Sequence, residues 1–327
     1  MAQSLISRRA VIALAGGALA APMVHRAHAA QPLRVIVPFG AGGVTDVLGR
    51  LISPRLGELL QRTVLIENRP SASSIVGTQA VVNAQPNGDT ILLADTTLPL
   101  LPVLHPELPF DIFKGLTPLG IPATGPTTLV VRASLNARTV KDVVELAKAE
   151  PGKLSYGTGS IGGTAHLAAL LLQEVAGIRL NHVPYAGAGQ AMNDLLGGHI
   201  DITFAAYAAV EGAIESKLVI PIATTGAERN PSAPELPTFV ESGLPIVVLS
   251  HWGFYGPAGL DPTIVETLSG AIQRAAQDEK VKSDLIRLGY VPLGTNAARH
   301  AEILREEYEK WGGVMRRSER LQANEKR

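Results

Sequence analysis

Arg34-Val35-Ile36-Val37-Pro38-Phe39-Gly40-Ala41-Gly42-Gly43 joins a β-branched run to a glycine turn, and Leu48, Leu51, Ile52, Leu56, Leu59 and Leu60 follow at helical spacing. The unit is strand, glycine turn, helix. It recurs at Leu154-Ser155-Tyr156, where Gly157-Thr158-Gly159-Ser160-Ile161-Gly162-Gly163 leads into Leu167, Leu170, Leu171 and Val175. Val64-Leu65-Ile66 and Ile91-Leu92-Leu93 read as further strands, separated by a helix from about Ser74 to Ala84. Such alternation predicts an α/β fold with a parallel sheet and right-handed crossovers. Pro54 inside the first helix removes a hydrogen bond and predicts a kink there.

Outward from these two units, Thr90 to Thr128 is rich in Pro and Leu with little periodicity, and Leu129-Val130-Val131 opens a new unit. A domain boundary is expected near residue 130. Thr139 with Asp142 starts a helix that Pro151-Gly152 stops. Leu180 to Val183, a helix around Met192 to Leu196, Ile200 to Phe204 and Val219 to Ala223 complete the second unit, and Trp252 to Tyr255 carries the chain back. The expected division is therefore 30–130 plus 253–327 for one lobe and 131–252 for the other. Asp261-Pro262 caps a helix to about Gln277, a short helix ends at Gly289, and another starts near Ala297. Arg316 to Arg327, polar and charged, reads as a frayed solvated tail.

The 327 residues suffice for two domains, since single cores stop growing at about 250–300 residues. Lys plus Arg number 29 against 29 Asp plus Glu, and six Phe, six Tyr and two Trp are too few for stacking platforms, so no nucleic-acid partner is expected. With no Cys, disulfides, thiolate metal sites and Cys nucleophiles are excluded. Residues 1–29 read as an export signal. Ser7-Arg8-Arg9 precedes a charge-free stretch from Val11 to Ala21, and Ala27-His28-Ala29 is an A-x-A cleavage site. The paired Arg before a weakly hydrophobic segment points to the twin-arginine type. Cleavage near Ala29 leaves 26 basic and 29 acidic groups in a periplasmic protein. No later stretch is long and apolar enough to span a bilayer.

The chemistry offered by the glycine turns is anion binding, because each feeds a helix N-terminus whose amide N–H groups and dipole favour negative charge. Asp46, in the first turn of the first helix, is placed to orient the glycine loop from beneath. Gly157-x-Gly159-x-x-Gly162 satisfies a dinucleotide fingerprint, yet the next strand, Leu180-Asn181-His182-Val183-Pro184-Tyr185, has no acid for the ribose hydroxyls. A dinucleotide-dependent enzyme is the weaker alternative, and no cofactor is expected. His105, His166, His182, His199, His251 and His300 show no metal-ligand spacing, and no G-x-S-x-G elbow exists. No metal and no catalytic residue is nominated.

Pro38-Phe39-Gly40-Ala41-Gly42-Gly43-Val44-Thr45-Asp46, Glu67-Asn68-Arg69-Pro70, Gly163-Thr164-Ala165-His166-Leu167, His182-Val183-Pro184-Tyr185-Ala186-Gly187 and Asp194-Leu195-Leu196-Gly197-Gly198-His199-Ile200-Asp201 together resemble the Bug family. These are extracytoplasmic solute receptors of tripartite tricarboxylate transporters. The resemblance runs in order from about residue 33 to Trp311. It implies a two-lobed, Venus-flytrap fold of the periplasmic-binding-protein class, type II-like, whose cleft holds a small carboxylate. The implied partners are a membrane permease or, alternatively, a sensor kinase; the implied state is a monomer. Carried over by position, the first lobe contributes Phe39, Gly40, Ala41, Gly42, Gly43, Thr45 and Asp46, with Thr96 and Thr97. The second contributes Gly159, Ser160, Gly163, Thr164, His166 and Tyr185, with Asp201 near the cleft floor. Ser71-Ala72-Ser73-Ser74 stands where the family is usually glycine-rich, and the charged tail replaces its usual C-terminal segment.

Overall fold

The computed structural model describes residues 31–71, 74–185 and 187–325. The expected export segment lies outside them, as do Ala72, Ser73 and Ala186. The chain begins β1 (Leu33–Val37), α1 (Val44–Leu60), β2 (Val64–Asn68), α2 (Ile75–Val82), β3 (Thr90–Asp95), α3 (Leu101–Leu104), α4 (Ile112–Gly115) and β4 (Leu116–Pro126). It continues β5 (Thr128–Arg132), α5 (Val140–Ala149), β6 (Ser155–Thr158), α6 (Thr164–Ala176), β7 (Asn181–Pro184), α7 (Ala188–Leu196), β8 (Ile202–Ala205), α8 (Tyr207–Glu215) and β9 (Val219–Thr224). It ends β10 (Leu249–Pro257), α9 (Pro262–Ala276), α10 (Glu279–Arg287), β11 (Val291–Pro292) and α11 (Ala297–Glu325).

The strands form a six-stranded sheet in the order β11-β4-β10-β3-β1-β2 and a five-stranded sheet in the order β7-β6-β8-β5-β9. Both are mixed, which corrects the expected parallel arrangement. β1 pairs in parallel with β2 and β3, and β6 with β7 and β8, as the strand–helix alternation requires. β10, returning from the second sheet, runs antiparallel between β3 and β4, and β5 runs antiparallel between β8 and β9. The chain passes from one sheet to the other at Thr127, between β4 and β5, and returns between β9 and β10.

Local signals account for several helix starts. Thr139 and Asp142 form a capping box, and Asp261 accepts from Thr263 N at 2.8 Å at the start of α9. Helix α1 continues through Pro54. The unpatterned stretch holds β4, an 11-residue strand, nearly all buried, containing Pro118, Pro122 and Pro126. Proline donates no ladder hydrogen bond, so such a sequence reads as non-strand; here the pairing with β10 shifts register around Phe254, and β11 covers only two residues of the other edge. Gly120 within β4 has φ 153°, and a Cβ there would lie 2.7 Å from Thr295 O. Helix α8 was also not expected.

Two large apolar clusters lie on the two sheets. One gathers Val35, Val37, Leu48, Ile52, Ile91 and Leu93 with Phe254 and Ile272; the other gathers Leu129, Val131, Tyr156, Leu167, Ile202 and Phe239. Helix α11 continues to Glu325 in place of the expected frayed tail. Its middle is fastened by apolar burial, with Leu304 in a cluster of the first sheet and Trp311, Val314 and Met315 in that of the second.

Candidate functional site

The loop after β1 is exposed from Gly40 to Gly43, while Thr45 and Asp46 in the first turn of α1 are buried. Gly42 has φ 79°, a left-handed conformation suited to glycine, and Gly43 is the extended N-cap of α1 (φ −71°, ψ 165°) without a side-chain cap. Asp46 Oδ2 accepts the Gly42 N–H at 2.8 Å, so this carboxylate holds the loop from below. Arg50 Nε donates to Asp46 at 3.0 Å, and Asn68 Nδ2 donates to Asp46 Oδ1 at 3.0 Å and to Phe39 O at 3.2 Å. Burial alone raises the Asp46 pKa; the hydrogen bonds from Arg50, Gly42 and Asn68 outweigh it and hold the carboxyl below its ordinary value.

The loop after β6 repeats this geometry. Gly162 has φ 77°, and Gly163 is an extended N-cap (φ −71°, ψ 164°), again with no side-chain cap. Val47 N donates to Gly43 O at 2.9 Å and Leu167 N to Gly163 O at 3.0 Å. The acceptor four residues past the left-handed glycine is now His166, whose Nδ1 takes the Gly162 N–H at 3.1 Å. A ring nitrogen that accepts carries no proton, so the neutral ring bears its proton on Nε2. Burial, and secondarily His182, push His166 down to about 3. The His182 ring stacks on it at 4.6 Å and binds Thr158 Oγ1 through Nε2 at 2.7 Å. Gly159 is required by close approach, since a Cβ there would lie 2.3 Å from Ala188 N at the head of α7.

Register brings the first loop and Thr96-Thr97 to one end of the six-stranded sheet. β1 and β3 are parallel neighbours, so the glycine loop and Thr96-Thr97 leave the same end of the sheet, and β10 starts beside them with Trp252 opposite Asp95. Thr96 Oγ1 accepts from His251 N at 2.8 Å, and Thr97 donates to Asp95 Oδ1 through Oγ1 at 2.6 Å. Ser250, the residue before, meets Thr164 of the second loop, Oγ to Oγ1, at 2.8 Å, and its carbonyl accepts from Thr124 at 2.7 Å. Ser160 is exposed, Gly159 and Tyr185 are half-buried, and Tyr185 OH donates to Asp194 Oδ2 at 2.6 Å. Asp201 is not brought together with these residues. It accepts from Ser155 N and from Arg132 Nε, both at 2.8 Å, at the start of β6 and hence at the opposite end of that strand from the glycine loop. Reasoning from sequence missed Ser250, Thr124 and Arg50; only Asn68 lay in a motif that drew notice.

The arrangement presents two amide-lined helix starts of like backbone and a set of hydroxyls, which suits recognition of an anion by neutral donors. Among the described residues no group of three or more His, Asp or Glu is placed to hold a metal ion.

Fold and site define the chain as a two-lobed α/β binding protein of the periplasmic class. It aligns with periplasmic binding protein BugD at a TM-score of 0.76 and 29% identity, covering 88% of this chain and 97% of that one. A family model described as the tripartite tricarboxylate transporter family receptor matches residues 48–319, and the chain belongs to that family. It is 31% identical over 308 residues to Protein BugT of Bordetella pertussis, covering 93% of this chain and 94% of BugT. It is similar to the R. palustris protein Rpa4515 solved with adipate, at a TM-score of 0.77 and 27% identity, covering 87% of this chain and 96% of that one. The family is one of periplasmic solute-binding receptors, which are not enzymes.

Proposed function

We propose that this receptor captures a small organic carboxylate between two lobes and delivers it to the permease of a tripartite tricarboxylate transporter. The observation that carries the reading is the pair of glycine loops of like backbone, each heading a helix whose N-cap glycine supplies no side-chain cap. Adipate in the related structure supports a carboxylate. One lobe is built on β1 to β4 with β10 and β11, the other on β5 to β9, and Ser250 with Thr164 lies where they meet. The ligand's carboxylate takes hydrogen bonds from other amides at the heads of α1 and α6, since the Gly42 and Gly162 N–H groups are already engaged by Asp46 and His166. The receptor acts as a monomer, exported and cleaved near Ala29; intact mass of the periplasmic protein reads that cleavage directly, and retention of residues 1–29 counts against it.

Thermal shift with a panel of mono-, di- and tricarboxylates, against NAD, ATP and sugars, tests the function. A ligand confined to the folded state stabilises by about 2.7 kcal/mol at a hundredfold excess over Kd. The melting temperature then rises by several degrees, on a scale of roughly 2–4 °C per kcal/mol for domains somewhat smaller than this chain. Methyl esterification of the active carboxylate erases the shift. An ester that binds equally well refutes the anion seat, and a response confined to nucleotides refutes the receptor reading.

A further inference from the structure

A group of buried titratable side chains lies apart from the glycine loops, where β3, β10 and α11 meet. A cavity of about 20 Å³ is lined there by Asp95, Thr96, His251, Tyr255, His300 and Glu307. His300 is 1% exposed, and its Nδ1 accepts the Gly120 N–H at 3.0 Å. The neutral ring therefore carries its proton on Nε2, facing the lining of β10: a Cβ on Gly253 would lie 2.5 Å from that atom. His300 Nε2 and His251 Nδ1 are buried, and neither has a hydrogen-bond partner among the described residues. Glu307 Oε2 stands 3.9 Å from His251 Nδ1, too far for a hydrogen bond, and accepts from Trp311 Nε1.

We propose that a single water molecule fills this cavity and clasps α11 to β10. It accepts from His300 Nε2–H and donates to His251 Nδ1 and to a facing carboxylate, Asp95 or Glu307. The space and the partners agree: a water needs roughly 10–15 Å³ on this measure and two to four polar groups. Burial keeps both rings neutral, with Lys310 adding to it at His251 and the His251 ring at His300, and pushes His251 down to about 4 and His300 to about 3. The clasp sits where α11 passes from the apolar cluster holding Leu304 to the one holding Trp311. It also backs onto the expected cleft residue Thr96, which is bonded to the His251 backbone. The inference stands without the receptor reading.

A high-resolution crystal structure of the mature chain is expected to show one ordered water about 2.6–3.2 Å from His300 Nε2 and in reach of His251 Nδ1. A dry cavity, or His300 Nε2 bonded directly to a carboxylate, overturns the proposal. In solution, nitrogen-15 NMR of the imidazoles is expected to show His300 protonated on Nε2 and bare on Nδ1, with a cross-relaxation peak from Nε2–H to water. The opposite tautomer, or a protected Nε2–H without the water peak, overturns it as well. His300→Gln keeps an acceptor for Gly120 and a donor for the water; His300→Phe keeps only the ring. The melting temperature should fall from wild type to His300→Gln and further to His300→Phe, and a phenylalanine variant melting at or above wild type contradicts the clasp.

Discussion

Replacing Asp46 by alanine removes the side chain that holds the first glycine loop. The residue is 2% exposed, and its carboxylate accepts from Gly42 N at 2.8 Å, Asn68 Nδ2 at 3.0 Å and Arg50 Nε at 3.0 Å. A hydrogen bond to a charged group contributes about 1.5–3 kcal/mol. Asn68 keeps its bond to Phe39 O, and the Arg50 side chain, 54% exposed, returns to water, so neither adds much. The expected loss is about 2–3 kcal/mol, and about 1 kcal/mol for Asp46→Asn, whose carbonyl still accepts from Gly42. Urea unfolding at pH 7, with amide exchange at Gly42, measures both. Because the folded carboxyl lies below its ordinary value of 3.8, its contribution is present above that pH and lost as pH falls through the lower folded value. The gap between wild type and Asp46→Ala therefore holds from neutral pH to about 4 and narrows below it, where the protonated carboxyl, like asparagine, still offers a carbonyl oxygen to Gly42. An alanine variant within about 0.5 kcal/mol of wild type, with unchanged Gly42 exchange, refutes the anchoring role.

Gly40→Val leaves the fold intact, since a Cβ at Gly40 meets nothing within 4 Å, yet it abolishes the carboxylate-induced thermal shift; retained binding removes this loop from the site. Gly159→Ala instead drives its Cβ to 2.3 Å from Ala188 N and lowers the melting temperature in the absence of any ligand. His166 titrates at about 3 in the folded chain against an ordinary 6.5, so the unfolded state takes up the proton first. Stability is full above pH 6.5 and falls towards pH 3, by up to about 1.4 kcal/mol per pH unit from this ring. His166→Gln, which can still accept from Gly162, should show the shallower dependence in pH-resolved urea unfolding, and equal slopes argue against a neutral anchor.

The parts legible in the sequence were those where local chemistry and tertiary role coincide. β1 announced itself through a β-branched run, both β1–α1 and β6–α6 through glycine turns and 3.6-residue spacing, and the capping box at Thr139 is present as expected. β4 was illegible because three prolines mask a strand whose ladder is irregular and whose burial comes from β10 and from helices distant in sequence. The continuation of α11 was hidden by charge, since what fixes its middle is the pocket for Trp311, formed by residues from the second sheet. For the site, the two loops were readable, but the meeting of Ser250 with Thr164 and the displacement of Asp201 to the far end of β6 depend on register, to which no single segment contains a clue.

The two loops also show how one backbone geometry is reached by different side chains. Each needs an acceptor four residues beyond a left-handed glycine; Asp46 supplies a carboxylate oxygen and His166 a bare ring nitrogen. The choice changes the electrostatics at the helix start and leaves its shape alone. Beneath the first loop a negative charge is balanced by Arg50, which reaches solvent on its other side; beneath the second, burial and stacking against His182 keep the anchor uncharged. The amide dipoles at the head of α6 therefore act without a counter-charge below them, whereas those at the head of α1 act above an ion pair. Loops of like backbone need not be equivalent anion seats, and the difference resides in two residues whose shared task is to accept a hydrogen bond.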